Sequence, residues 1–202
     1  MSFIWKYISD TFSDSLFWLG LSGKEAKIML LGLDNAGKTT LMYRLRHGKL
    51  HSANPTRYPQ KDTMQICGIT MTAYDLGGHT AAQKLWKEYM SGGIDAVVYL
   101  VDVADQKRMD ESKKVLQNIL TKISSYTSYM PPECPVLVLG NKIDISSVSE
   151  SQCKILLGIE MMTTGKVSGK PAGSVRPVEL FMCSIVKEAG YTDGFQWLSR
   201  LL

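Results

Sequence analysis

Gly32-Leu-Asp-Asn-Ala-Gly37-Lys38-Thr39 is the stretch in which residue type and spacing most directly suggest chemistry. It fits the pattern GxxxxGK[ST], whose glycines let the backbone curl close to phosphate groups while successive N–H groups point at them. On that reading Asp34, Asn35, Ala36, Gly37, Lys38, Thr39 and Thr40 border the anion. Lys38 reaches the β- and γ-phosphates, and the Thr39 hydroxyl ligates magnesium. Two further pieces follow in order along the chain. Asp75-Leu-Gly-Gly78 offers a carboxylate that can hold magnesium through water and, at Gly78, an amide for the γ-phosphate. Asn141-Lys142-Ile143-Asp144 ends in a carboxylate that can accept hydrogens from N1 and the 2-amino group of guanine. Adenine offers neither and would leave that carboxylate unpaired, so guanine nucleotides rather than ATP are the expected ligands. Each short match is weak by itself; their order makes the conjunction specific.

These residues need elements to hold them. Lys27–Leu33 reads as a buried strand running into the glycine-rich turn, and Thr39–Arg46 as the helix that opens behind it. Polar residues from His47 to Asp62, with two prolines, predict a long loop. Met64–Cys67 and Ile69–Asp75 alternate as strands, Ile94–Asp102 is a central parallel strand, and Pro135–Gly140 is another buried one. Helical patterns cover Asp110–Ser124, Ser149–Leu157 and Tyr191–Leu202, with a last strand at Val178–Cys183. Gly158–Ser174, rich in Gly, Ser and Lys, predicts a surface insertion. The alternation implies an α/β fold with a doubly wound, mostly parallel six-stranded sheet and ligands beyond the carboxyl ends of its strands.

The first residues differ in character. Phe3, Ile4, Tyr7, Ile8, Phe12, Leu16 and Leu19 recur at helical spacing, with Lys6, Asp10, Ser13 and Asp14 opposite. A charge every few residues excludes a signal peptide. The segment is heavy in aromatics and carries a net charge of −1 (Lys6 against Asp10 and Asp14), so it suits the headgroup boundary through apolar burial rather than charge. Met1-Ser2 lacks the glycine that myristoylation needs, and the terminal Ser199-Arg-Leu-Leu202 is no prenylation box. Domain 1–22 is therefore expected to be an amphipathic membrane-binding helix, and 23–202 the nucleotide domain.

Composition bounds the alternatives. With 202 residues, 45% hydrophobic and 21% charged, the chain is neither disordered nor collagen-like. Its net charge is 23 − 19 = +4, which suits anionic ligands and is too weak to imply nucleic acid. The excess gathers in two stretches: Lys38, Arg44, Arg46, Lys49, Arg57 and Lys61, then Lys166, Lys170 and Arg176. Cys67, Cys134, Cys153 and Cys183 lie far apart, which reads as reduced thiols rather than a disulfide framework or zinc site.

The whole chain resembles a small GTPase of the Arf/Sar branch of the Ras superfamily, and within it the Sar family that starts COPII coat assembly. The residues that carry the resemblance are GLDNAGKTT (Gly32–Thr40), DLGGH (Asp75–His79), LWKEYM (Leu85–Met90), GNKID (Gly140–Asp144), TTGK (Thr163–Lys166) and VELFMCS (Val178–Ser184). His79 stands where most small GTPases have Gln. The resemblance implies a P-loop small G domain and GTP/GDP with Mg2+. It also implies that Thr56 completes the magnesium shell when GTP is bound, beside Thr39 and Asp75. Cys183, Ser184 and Ile185 resemble the loop whose backbone meets the guanine, with Asn141, Lys142 and Asp144. His79, next to Gly78, is the expected catalytic residue that orients the attacking water. Hydrolysis is expected to be slow until a partner's arginine assists. Arg57, beside the magnesium-facing Thr56, should point away from the γ-phosphate and so is not taken as a built-in arginine. The implied partners are the COPII inner coat subunits as activating protein, a membrane-bound exchange factor and the phospholipid membrane. The implied location is the cytosolic face of the endoplasmic reticulum at its exit sites, with the Golgi as a second site. One departure touches the partners: Thr56-Arg57-Tyr58-Pro59-Gln60 replaces the family's Thr-Leu/Trp-His-Pro-Thr. The alternatives are an Arf-like GTPase at another membrane, or a GTP-dependent scaffold with negligible hydrolysis.

Overall fold

Runs such as AVVYLVD and VLVLGN are apolar at odd and even positions alike, so strands built from them need cover on both faces. A computed structural model describes residues 24–50, 60–75, 86, 89, 93–122, 133–166 and 175–202, and shows how that cover is arranged. The strands are β1 (Lys24–Leu31), β2 (Gln60–Ile66), β3 (Ile69–Asp75), β4 (Ala96–Asp102), β5 (Val136–Asn141) and β6 (Val178–Met182). They form one six-stranded sheet in the order β2-β3-β1-β4-β5-β6. All pairs are parallel except β2–β3, the edge hairpin. Four helices are described from end to end, α1 (Lys38–His47), α2 (Met109–Lys122), α3 (Glu150–Leu157) and α4 (Tyr191–Ser199).

Strand side chains alternate between faces, and the core divides accordingly. Met29, Leu31, Val97, Tyr99, Val136 and Val138 pack with Leu116 and Ile119 of α2 and Cys153 and Leu157 of α3. Ile28, Leu30, Val98, Leu100, Leu137 and Leu139 pack with Leu41 of α1 and Phe195 and Leu198 of α4. β1 leads to α1 on one face and β4 leads to α2 on the other, so the connections part between β1 and β4. That is where an open α/β sheet makes a crevice at the carboxyl ends of its strands.

Local chemistry sets the element ends. Ser149 and Gln152 form a reciprocal capping box at the start of α3, and Gly158 ends it in the left-handed conformation. Between β2 and β3, Cys67 (φ 50°) and Gly68 (φ 75°) make a two-residue turn with both φ positive. Cys67 thus belongs to the turn, not the strand. β2 also starts three residues inside the expected loop, because Gln60, Lys61 and Asp62 ladder with Asp75, Tyr74 and Ala73.

The described part of the expected surface insertion, 158–166, is largely exposed as expected but is also docked at several points. Ile159 is fully buried, the Thr164 amide donates to the Val178 carbonyl, and the Gly165 amide donates to the buried Glu179 carboxylate at 2.8 Å. Lys154 pairs with the same carboxylate at 2.7 Å. Trp197 of α4 donates its indole N–H to the Gly165 carbonyl. Residues 167–174 lie outside the described residues, as do the N-terminal helix expectation and Thr56, Gly78 and His79. Among the described residues no helix is long and apolar enough to cross a membrane.

Candidate functional site

At the carboxyl end of β1 the backbone turns on glycine. Gly32 sits at φ 136°, and a Cβ there would lie 2.2 Å from the Leu100 carbonyl oxygen on the neighbouring strand. Gly37 sits at φ 105°, where a Cβ would lie 2.5 Å from the Asn141 amide nitrogen. No L side chain fits the first of these without moving backbone. Asn35 completes the reversal at φ 63°. The loop closes on Lys38, which is buried and donates from Nζ to the Gly32 (3.0 Å) and Leu33 (2.8 Å) carbonyls. Gly37 is the N-cap of α1 and supplies no side chain to its first N–H groups, and the first turn holds no acid. A ten-residue helix so opened presents amide donors and the positive end of its dipole. A buried ammonium within a glycine-shaped loop at such an end suits a polyphosphate.

The same edge of the sheet also carries residues whose side chains end in oxygen. Thr39 lies in the first turn of α1 and Thr40 follows it. Asp75 ends β3 directly across from Leu30 of β1, one residue before β1 ends. A hydroxyl and a carboxylate are the hard donors that Mg2+ takes, so the residue types fit that ion.

Two strands away the sheet edge is built from side chains. Asn141, the buried last residue of β5, donates from Nδ2 to the Ala36 carbonyl at 2.9 Å. Its Oδ1 accepts from the Ile185 amide at 3.1 Å. One side chain therefore ties the glycine-rich loop to the loop after β6. Asp144 accepts a 2.6 Å hydrogen bond from the Ser184 hydroxyl, whose oxygen in turn accepts from the Lys187 amide. Lys142 holds a left-handed backbone (φ 72°) and pairs with Asp102 at 2.6 Å. Cys183 is buried, and burial pushes its thiol up to about 12, so it contributes backbone and volume rather than a nucleophile.

The family model for the ADP-ribosylation factor family matches residues 12–202. The chain belongs to that family. Among its relatives, one named a small COPII coat GTPase SAR1 from Nicotiana tabacum is 41% identical, covering 97% of this chain and 99% of the relative. Another of that name from Giardia intestinalis is 38% identical over 96% and 98%. The Arl6 BBS3 small GTPase from Trypanosoma brucei, solved with GppNp, superposes with a TM-score of 0.69 at 24% identity, over 87% of this chain and 95% of that one. This ADP-ribosylation factor family member is thus a small GTPase of the Sar type, in a family that binds GTP and GDP.

The geometry brings Asp34 to Thr40, Asn141, Lys142, Asp144 and Cys183 to Ile185 to one edge of the GTPase sheet. It also adds residues that no short pattern marks. Arg108, in the turn after β4, reaches Asp34 with two nitrogens, and its hydrogen bond holds the Asp34 carboxyl below the usual carboxylate range. Asp102 ends β4 and anchors Lys142. Arg44 of α1 is buried and pairs with Glu188 of the loop after β6 at 2.6 Å. Several cations of the two basic stretches have partners among the described residues. Arg46 meets Asp62, Lys166 meets Glu150 and lies over the Phe181 ring, and Arg176 donates to the Cys134 carbonyl. The one available signal was an acid ending an apolar strand, as Asp102 does.

Proposed function

We propose that this GTPase is a membrane-recruiting switch. It holds GTP or GDP along the β1–β6 edge and, in its GTP form, inserts residues 1–22 into the endoplasmic reticulum membrane to recruit the COPII coat. The observation that carries the nucleotide part is the Asn141 tie. One buried side chain joins the loop around Lys38, which suits a phosphate chain, to the loop around Ser184, whose hydroxyl bonds Asp144 and which suits a purine. Magnesium, held by Thr39, Thr56 and Asp75, would supply charge neutralisation at the β- and γ-phosphates. The rest is positioning by this chain. Main-chain amides of residues 34–40 and Gly78 bind the phosphates, Lys38 spans the last two, and Asp144 reads guanine. His79, whose imidazole can accept or donate a hydrogen bond, orients the water. The coat and membrane part is supported by the printed names of the two relatives and by the aromatic, amphipathic pattern of Phe3 to Leu19. The same pattern supports the division into a lipid-seeking arm, 1–22, and a G domain, 23–202. An exchange factor at that membrane would load GTP.

The test is GTP turnover by the full chain with and without liposomes and inner coat subunits, with flotation read on the same samples. Turnover should be slow alone and rise about 10³-fold or more with both additions. His79→Gly should still bind GTP but lose that rise. The chain should float with a GTP analogue and not with GDP, since only differential affinity for the two states can drive a switch. Equal flotation in both states removes the switch from this account.

A further inference from the structure

We propose that Arg108 is a positioning residue for GTP: it neutralises and orients the Asp34 carboxylate, so that the phosphate loop does not repel its own ligand. The inference rests on the reading that Gly32–Thr39 receives the phosphates. Asp34 places a negative charge inside a loop whose other features favour a polyanion, namely the Lys38 ammonium and the N-terminal end of α1, whose first turn holds no acid. An unneutralised carboxylate there weakens binding of every phosphate, and most of all the γ-phosphate that GTP adds. Arg108 answers that charge with a fork. Nη2 meets Asp34 Oδ1 at 2.7 Å and Nη1 donates to the Asp34 main-chain oxygen at 3.3 Å, so side chain and backbone are gripped together. The fork is itself aimed, because Nε donates to Glu111 at 2.9 Å from the first turn of α2. A lysine ammonium cannot span these three acceptors in one plane.

Exposure argues that this grip serves the ligand rather than the fold. The Arg108 and Asp34 side chains are 32% and 46% exposed, and ion pairs so open to water add little to folding stability. The pairing also joins segments 74 residues apart, at the parting of the β1 and β4 connections where the crevice forms.

The experiment follows release of fluorescent GDP and of a non-hydrolysable GTP analogue from the full chain, with wild type, R108A, R108K, D34N and D34N/R108A. R108A should release the GTP analogue about 10-fold faster and GDP about 3-fold faster. R108K should fall between it and wild type. Once Asp34 is neutral, adding R108A should change GTP-analogue release by less than about 2-fold. A purely structural Arg108 would instead speed release of both nucleotides equally, whether or not Asp34 is charged, and that result overturns the proposal. So does an R108A protein that releases both nucleotides like wild type. Wild-type protein that binds neither nucleotide overturns the nucleotide reading itself, and with it this proposal.

Discussion

Between Leu31 and Thr39 the site is shaped by main chain, whereas from Asn141 to Glu188 it is shaped by side chains that hold one another. At the phosphate end two of the positive-φ positions are glycines, Gly32 and Gly37, and each is pressed against a neighbouring strand or side chain. At the base end Lys142 (φ 72°) and Glu188 (φ 56°) adopt the same left-handed backbone without being glycine. Each is held by an ion pair, to Asp102 and to Arg44. A phosphate chain is read by many convergent N–H groups, so the backbone must come close and Cβ atoms are in the way. A purine is read by one oriented carboxylate, so what matters is that the Asp144 side chain stays put. The first end should therefore fail sterically and all at once, the second by degrees.

Gly32→Ala tests the steric half and should have the largest effect. Its Cβ would meet the Leu100 carbonyl oxygen at 2.2 Å in a backbone conformation L residues rarely adopt. A loss of about 3 kcal/mol or more follows, seen as a melting temperature lower by roughly 6–12 °C in the nucleotide-free protein. Gly140→Ala, at the start of the base end, meets the movable Met182 sulfur at 2.8 Å, and should cost only about 1–2 kcal/mol. Equal shifts for the two would erase the contrast.

On binding rather than folding, the largest effect is that of Lys38→Ala. Loss of charged hydrogen bonds to two phosphates should lower GTP affinity about 10³-fold, and GDP affinity less, by equilibrium titration. Asp144→Asn should weaken both nucleotides alike, by about 10²-fold, because both carry the same base. That difference between unequal and equal losses separates the two ends by ligand rather than by stability.

What could be read in advance follows the same divide. Gly32–Thr39 and Asn141–Asp144 are contiguous, so local pattern could mark them, and short apolar runs, two alternating and the others continuous, located six strands. The ties were not legible, because they join residues far apart in the chain: 74 positions for Arg108 to Asp34, 40 for Lys142 to Asp102 and 144 for Arg44 to Glu188. Such partners depend on strand order, which no local pattern contains. The described part of Gly158–Ser174 lies at the surface as expected, but the contacts that dock it were hidden for a related reason. Glycine and serine report turn preference, while docking came from Glu179, an acid inside the apolar strand VELFM that needs a buried partner and has Lys154 and the Gly165 amide.

Smaller effects should follow from loosening the base end one hydrogen bond at a time. Ser184→Ala removes the hydroxyl that donates to Asp144 and accepts from the Lys187 amide. A net hydrogen bond of about 1 kcal/mol predicts roughly a 5-fold loss for GDP and GTP alike. A much larger loss would mean that Asp144 has no other means of staying oriented, and the base end would then be as brittle as the phosphate end.

The smallest effect comes from setting two opposed contributions against each other at Glu188. Its carboxylate pairs with the buried Arg44 at 2.6 Å but is itself 60% exposed, which limits the pair to about 1 kcal/mol. Its left-handed backbone costs about as much again for any residue but glycine. Glu188→Ala loses the pair and keeps the strain, so the unfolding free energy should fall by about 1 kcal/mol. Glu188→Gly loses the pair but also relieves the strain, and should melt within about 2 °C of wild type. If glycine proves as damaging as alanine, strain at this position is negligible. The ion pair to α1 would then account for the whole of the Glu188 contribution to stability.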